Sequence, residues 1–152
     1  MARLIILDAG PIGLLCRRSG HDEGDRCRSW AALLHRSGAW VGLPEIAVYE
    51  VRRELHRIGA SASLHRIREM IGRFFYIPID TAAMEHAAVL WAELRRRGIP
   101  TASPDSLDAD CILAAQAIGA SGRNDMLTIA TTNPGHLNRF PNIDARLWDQ
   151  IA

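Results

Sequence analysis

The chain has 152 residues, of which 48% are hydrophobic and 23% are charged. This length and composition are typical of one globular domain with its own core, and they exclude disordered, collagenous and low-complexity chains. The formal net charge of +1 excludes a protein whose whole surface is strongly basic, so nucleic-acid binding would need a local basic patch. We therefore predict a single domain over residues 1–152.

Three cysteines, Cys16, Cys27 and Cys111, are scattered along the chain without a paired spacing. Such a set argues against both a disulfide framework and a cysteine zinc site, and it favours the reducing cytoplasm. The apolar run near the N-terminus, Leu4–Leu7, is too short for a secretion signal or a membrane span. We therefore expect a cytoplasmic protein without a membrane segment.

The predicted elements alternate between strands and helices along the chain. Leu4–Leu7 is continuously apolar, which is typical of a strand covered on both faces in a parallel sheet. The alternation predicts a doubly wound α/β domain whose central sheet has four to five strands and is mostly parallel. We predict strands at 4–7, 40–43, 74–79 and 126–130, and Pro78 favours an edge position for the third. Between the first two strands we predict a helix that stops at Gly38, and after the second a helix from Pro44 to Gly59 and another around 64–71. Between the last two strands we predict a helix from 80 to 97, a polar loop at 101–105 and a helix around 111–118 that stops at Gly119.

Polar residues follow the predicted strands at the edge where an open parallel sheet carries its site. Asp8 comes directly after the first strand, and Asn133 comes just after the fourth. Asp108 and Asp110 lie in the predicted first turn of the helix that leads into the fourth strand. Glu50 lies beside the apolar seam of its helix, so we expect its carboxylate to be half-buried and to need a partner.

Oxygen ligands without histidine or cysteine suit a hard cation such as Mg²⁺ or Mn²⁺. Such cations serve phosphoryl transfer, because they neutralise phosphate and activate water. The residues alone indicate metal-dependent phosphoryl transfer and no more specific activity. Each position also has a purely structural explanation, namely a helix cap at Asp8, complementation of the helix dipole at Asp108 and Asp110, an ion pair of Glu50 with Arg53 or Arg57, and a turn at Asn133.

Motifs of several other enzyme classes are missing from the sequence. It contains neither a phosphate-binding P-loop nor a dinucleotide fingerprint, and it lacks the G-x-S-x-G motif of serine hydrolases. A phosphatase or receiver-like domain with Asp8 as phospho-acceptor is also disfavoured, because the chain has no lysine and no D-x-D pattern after its first strand.

Four segments resemble the sequence motifs of PIN-domain nucleases. Leu7–Ile12 is similar to the opening motif, Pro44–Leu55 to the second, Asp108–Ala117 to the third and Ala130–Phe140 to the fourth. They occur in the family's order and extend from the first strand almost to the C-terminus. Within this family, the chain resembles the VapC-like toxins of type II toxin–antitoxin pairs.

The resemblance implies a three-layer α/β/α PIN-like domain with Mg²⁺- or Mn²⁺-dependent endoribonuclease activity. It also implies a cytoplasmic homodimer that cleaves RNA and is silenced by a cognate antitoxin. By position, it implies catalytic and metal-binding roles for Asp8, Glu50 and Asp110, further metal contacts from Asp108 and Asn133, and a substrate contact from Thr131. Independently of the resemblance, Arg52 and Arg53 belong to a basic stretch beside Glu50 that would hold RNA phosphates if it borders the cleft, and the alternative is a solvated helix surface.

The fourth motif departs from the family pattern. Asn133 stands where many relatives have aspartate, and His136 stands where some have another acid. Three carboxylates therefore match the family's metal ligands. The alternative prediction is a PIN-like domain with weak or no catalysis that binds RNA or a partner protein.

Overall fold

A computed structural model describes the main chain of residues 2–98 and 104–152 and the side chains of residues 2–98 and 107–152. Most of the polar loop predicted at 101–105 lies outside the described residues. The strands are β1 (Arg3–Leu7), β2 (Trp40–Pro44), β3 (Phe75–Ile77), β4 (Met126–Thr131) and β5 (Ala145–Leu147). The helices are α1 (Ala9–Leu15), α2 (Asp22–Arg36), α3 (Glu45–Arg57), α4 (Ser61–Arg73), α5 (Thr81–Arg96), α6 (Pro104–Ala120) and α7 (Pro134–Leu137), followed by a short 3-10 helix at Trp148–Gln150.

The five strands form one sheet in the order β3-β2-β1-β4-β5, and each neighbouring pair is parallel. β1 is the central strand, and Leu4–Leu7 are buried as their continuous apolar pattern predicted. β3 is an edge strand, as Pro78 indicated. The predicted α/β class and parallel sheet are confirmed.

The chain order places helices on both faces of this sheet. β2 and then β3 are added on one side of β1. β4 and then β5 are added on its other side. Because crossovers between parallel strands are right-handed, α1–α4 cover one face and α5–α7 the other, which confirms the three-layer arrangement. The direction reverses between β1 and β4, and a binding crevice is expected outside the carboxyl ends of these two strands.

Several element boundaries differ from the predictions. α6 begins at Pro104, so the prediction that Asp108 and Asp110 lie in its first turn was wrong. Gly119 does not stop α6, which continues to Ala120, whereas Gly38 and Gly59 end their helices with positive φ angles of 85° and 67°. The sequence patterns did not locate α1 or β5, because both are short and contain few residues with a clear periodicity.

The three cysteines are free and buried in the core. Burial raises the pKa of Cys16 to about 11, that of Cys27 to about 12 and that of Cys111 to about 11, so all three remain thiols at neutral pH. None of the described helices is both long and apolar enough to span a lipid bilayer.

Candidate active site

Asp8 lies where β1 ends and α1 begins. Its main-chain N–H donates to the carbonyl of Ala130 at 2.9 Å, which joins the ends of β1 and β4. Its Oδ1 accepts a hydrogen bond from the N–H of Ala9 at 2.8 Å, so Asp8 does cap a helix. Asp8 can bind further groups while it caps the helix, because each carboxylate oxygen accepts more than one hydrogen bond.

Thr131, the last residue of β4, holds the other oxygen of Asp8. Its hydroxyl donates to Oδ2 of Asp8 at 2.7 Å and accepts the N–H of Asn133 at 3.1 Å. Thr131 is completely buried. It therefore orients Asp8, and its burial keeps it out of contact with a substrate, contrary to the substrate contact predicted from its position.

Glu50 lies on α3, which starts directly after β2 at the same edge of the sheet. Burial, and then repulsion from Asp8 and Asp110, raise the pKa of Glu50 from its usual 4.5 to about 7, while Arg53 opposes the shift. Among the described residues Glu50 has no hydrogen bond or ion pair, since the neighbouring Arg57 binds Glu54 instead. The predicted half-buried carboxylate is confirmed, and Arg53 compensates its charge only in part.

Asp110 lies on α6 and is also half-buried. Burial and the charge of Asp8 raise its pKa from the usual 3.8 to about 6, while His136 and Arg139 lower it. The Arg139 guanidinium approaches its Oδ2 to 3.9 Å. Asp110 is too far into α6 to interact with the dipole of its N-terminus, so that structural explanation does not apply.

Asp8, Glu50 and Asp110 thus lie within electrostatic reach of one another, and we call them the acid cluster. The charge of Asp8 raises the pKa of both Glu50 and Asp110, and the charge of Asp110 also raises that of Glu50. As they stand in the described residues, no three His, Cys, Asp or Glu side chains lie close enough together to hold a metal ion. The donors themselves are hard oxygens with unbalanced negative charge, which is the chemistry that a hard divalent cation requires.

Of the remaining predicted residues, the structure brings Arg53 to the acid cluster but not Asp108, Asn133 or Arg52. Asp108 is exposed and lines a separate cleft together with Trp91 of α5. The Asn133 side chain is exposed and makes no hydrogen bond among the described residues. Arg52 lies near Tyr76 and lowers its pKa, whereas Arg53 acts on Glu50.

Sequence reasoning missed three residues that shape the site, and the first two are Gly10 and Arg139. A Cβ on Gly10 would lie 2.6 Å from the Thr132 side chain, so a glycine allows α1 to approach the end of β4 closely. Arg139 reaches Asp110 although the two are far apart in sequence, and no local pattern could have paired them. The glycine two residues after a strand-end aspartate was the one signal available for this pair of residues.

Gln116, a third residue that sequence reasoning missed, connects α6 to the opposite side of the site. It is buried, and its side chain accepts the N–H of Ile46 at 3.1 Å and donates to the carbonyl of Ile77 at 2.7 Å. The first bond fixes the start of α3, the helix of Glu50, relative to the helix that carries Asp110, and the second fixes the end of β3. A buried glutamine inside an apolar helical pattern was the available signal.

Solved structures share this architecture. A chain of VapBC2 from Rickettsia felis, bound to a DNA fragment from their promoter, matches with a TM-score of 0.72 at 16% identity, over 96% of this chain and 99% of that chain. The chain has the PIN-like fold. DNA-bound VapBC from Salmonella typhimurium matches with a TM-score of 0.68 at 19% identity, and VapBC-1 from nontypeable Haemophilus influenzae with 0.68 at 16%, each over 97% of this chain and 99% of that chain. No protein-family model matches the sequence, and no curated protein matches it either.

Proposed function

We propose that the protein is a metal-dependent endoribonuclease that acts as the toxin of a toxin–antitoxin pair. The observation that carries this proposal is the acid cluster at the point where the sheet reverses direction, with two of its carboxyl groups raised to pKa values of about 6 and 7. Clustered like charges are costly to a fold, and such perturbed groups concentrate at functional sites. The PIN-like fold and the VapBC neighbours agree with this assignment.

A bound Mg²⁺ or Mn²⁺ fits the donor chemistry of the acid cluster. Asp8, Glu50 and Asp110 would hold it, with Asn133 as a further oxygen donor through a water molecule. When bound, such a cation neutralises phosphate charge and lowers the pKa of water. Its charge would also relieve the repulsion that raises the pKa values of Glu50 and Asp110.

The side chains around the acid cluster have distinct tasks in hydrolysis of an RNA phosphodiester. Thr131 and the N–H of Ala9 keep Asp8 in one orientation. Arg53 and Arg139 are the cations that act on the cluster, and they would hold the phosphate oxygens of the substrate. A carboxylate takes the proton of the attacking water as the new P–O bond forms, and the leaving oxygen takes a proton from solvent as its bond to phosphorus breaks.

The partner would be an antitoxin protein, as in the VapBC neighbours. A cleft of about 840 Å³ between α2 and α4 is suited to receive it, because its floor is apolar and arginines line its rim. The exposed Arg17 and Arg73 at this rim favour a partner segment with acidic residues. We also expect a homodimer in the cytoplasm.

Cleavage of a labelled single-stranded RNA in Mg²⁺ or Mn²⁺, with EDTA as the blank, tests the proposal. Asp8→Asn and Asp110→Asn should abolish cleavage and relieve growth arrest in expressing cells, while circular dichroism shows a folded chain. Asp108→Asn is the matched control, because Asp108 is two residues from Asp110 but lies outside the acid cluster. Full toxicity of both cluster variants would end the nuclease assignment.

The same assay separates the proposal from the non-catalytic alternative. A protein that binds RNA or its partner without cleaving would show no metal-dependent products in the wild type, yet it would retain binding. Metal-dependent products that disappear in Asp110→Asn exclude that alternative.

A further inference from the structure

We propose that Tyr49 and Arg53 form a stacking subsite for an unpaired base of the RNA, beside the phosphate that the acid cluster engages. This inference rests on the proposed function and names a feature of its substrate. The residues lie on α3 with Glu50, and the charge of Arg53 acts on the Glu50 carboxyl group, so a nucleotide bound to this pair would lie beside the cluster.

The Tyr49 ring is open to solvent although it lies next to a half-buried carboxylate. Its relative exposure is 54%, and it directly precedes Glu50 in α3. The Arg53 guanidinium carbon lies 5.5 Å from the centroid of the Tyr49 ring. Arg53 is one helical turn from both Tyr49 and Glu50, so it connects the aromatic surface to the acid cluster.

The location of Tyr49 distinguishes it from the other exposed large hydrophobic side chains that the structure describes. Trp40, Phe75 and Met126 begin their strands, and the carboxyl ends of the sheet that carry Asp8 are at the opposite end. Trp91 lies on α5 with the Arg95 guanidinium carbon 5.1 Å from its ring. Two chemically similar pairs therefore exist, and one of them adjoins the acid cluster.

Proteins that bind single-stranded nucleic acid commonly do so with an exposed aromatic ring beside an arginine. Bases stack on aromatic rings and on guanidinium planes, and arginine also binds the adjacent phosphate. Stacking requires a free base face, which a paired base inside a duplex does not offer. The subsite should therefore favour a single strand and tolerate several bases, because every base has such a face.

The experiment measures binding of fluorescently labelled 12-mers (about one binding site of a single-strand groove) by anisotropy in Mg²⁺. The protein carries Asp110→Asn so that the strands stay intact, and single-stranded RNA, single-stranded DNA and duplex RNA are compared. Tyr49→Ala removes the ring, Tyr49→Phe keeps it, and Trp91→Ala is the matched control on α5. Thermal melts show whether each variant is folded.

We expect Tyr49→Ala to weaken binding of single-stranded RNA by about 5-fold to 150-fold, the range found when a stacking ring is removed. Tyr49→Phe should restore binding to within about twofold, since the ring supplies the stacking. Trp91→Ala should leave the affinity unchanged. An equal loss of affinity for single-stranded DNA would show that the subsite recognises the base and not the ribose. A loss of affinity confined to RNA would indicate an additional contact with the sugar. Both results support a base-stacking subsite.

The subsite is overturned if Tyr49→Ala binds single-stranded RNA like its parent, if Trp91→Ala weakens binding as much, or if duplex RNA loses affinity equally. A loss of antitoxin binding with unchanged RNA affinity would assign Tyr49 to a protein interface instead. Cleavage by the otherwise unmodified chain is measured separately. If the chain does not cleave RNA but Tyr49→Ala still weakens binding, the nuclease proposal is refuted and the subsite stands. If the chain cleaves RNA but Tyr49→Ala does not weaken binding, the subsite is refuted and the nuclease proposal stands.

Discussion

Glu50→Gln should stabilise the metal-free protein at alkaline pH while it abolishes cleavage. The pKa of Glu50 rises from 4.5 to about 7 on folding, mainly because the carboxyl group is buried and faces Asp8. At about 1.4 kcal/mol per pKa unit this shift corresponds to ~3 kcal/mol, and water access to the half-buried group reduces our expectation to about 2 kcal/mol. Replacing the carboxylate with a neutral amide removes this cost.

The sign of the pH dependence follows from the direction of the shift. The folded state binds the Glu50 proton more tightly than the unfolded state, so the associated stability is present below about pH 4.5 and is lost as the pH rises through about 7. Urea unfolding in EDTA should therefore show similar stabilities for wild type and Glu50→Gln near pH 4.5, and a more stable variant near pH 8. Asp110, with its pKa raised to about 6, adds a slope of the same sign in both proteins.

Glu54→Gln is the matched control on the same helix. Its bond to Arg57 lowers the pKa of Glu54, so this substitution should give no stabilisation at either pH. A Glu50→Gln variant that is less stable than wild type near pH 8 would refute the reasoning, because it would show that Glu50 has a stabilising partner. Added Mn²⁺ should raise wild-type stability by ~3 kcal/mol at a concentration of about 100 times its Kd, and it should raise that of Glu50→Gln much less.

Further predictions concern the framework around Asp8. Thr131→Val removes the hydroxyl that binds Asp8 and should lower the free energy of unfolding by about 1–3 kcal/mol, whereas Thr128→Val on the same strand should be nearly neutral in the same urea titration. Gly10→Ala places a Cβ against Thr132 and should cost about 1–3 kcal/mol together with most of the cleavage rate. Gly72→Ala meets open space in the last turn of α4 and should stabilise by at most about 0.5–1 kcal/mol. A Gly10→Ala variant that is as stable as wild type would show that the close approach is unimportant.

The fold could be predicted from the sequence because its signals are local. A continuous apolar run marks the central strand, and glycines with positive φ end the helices where the pattern stopped. Short elements carry too few residues for a periodicity, which is why α1 and β5 were missed. The beginning of α6 was also misplaced, and with it the expected environment of Asp110.

The acid cluster could be predicted because strand order determines which chain segments meet. Asp8 and Asp110 each follow from their position near the carboxyl edge of a parallel sheet, and Glu50 from its place beside an apolar seam. The direction of each side chain could not be predicted, so Asp108 was included although it lies on another side of α6. The contact of Arg139 with Asp110 depends on tertiary packing, which no sequence spacing encodes.

The hydrogen bond between Thr131 and Asp8 joins residues 123 positions apart. During synthesis, the N-terminal half of the chain leaves the ribosome long before β4 exists, and distant strand pairings of this kind form late. The nascent polypeptide therefore exposes Asp8 without the hydroxyl that orients it until nearly all of the chain has been translated. The end of the sheet that carries Asp8 is therefore completed only when synthesis of the chain is nearly finished.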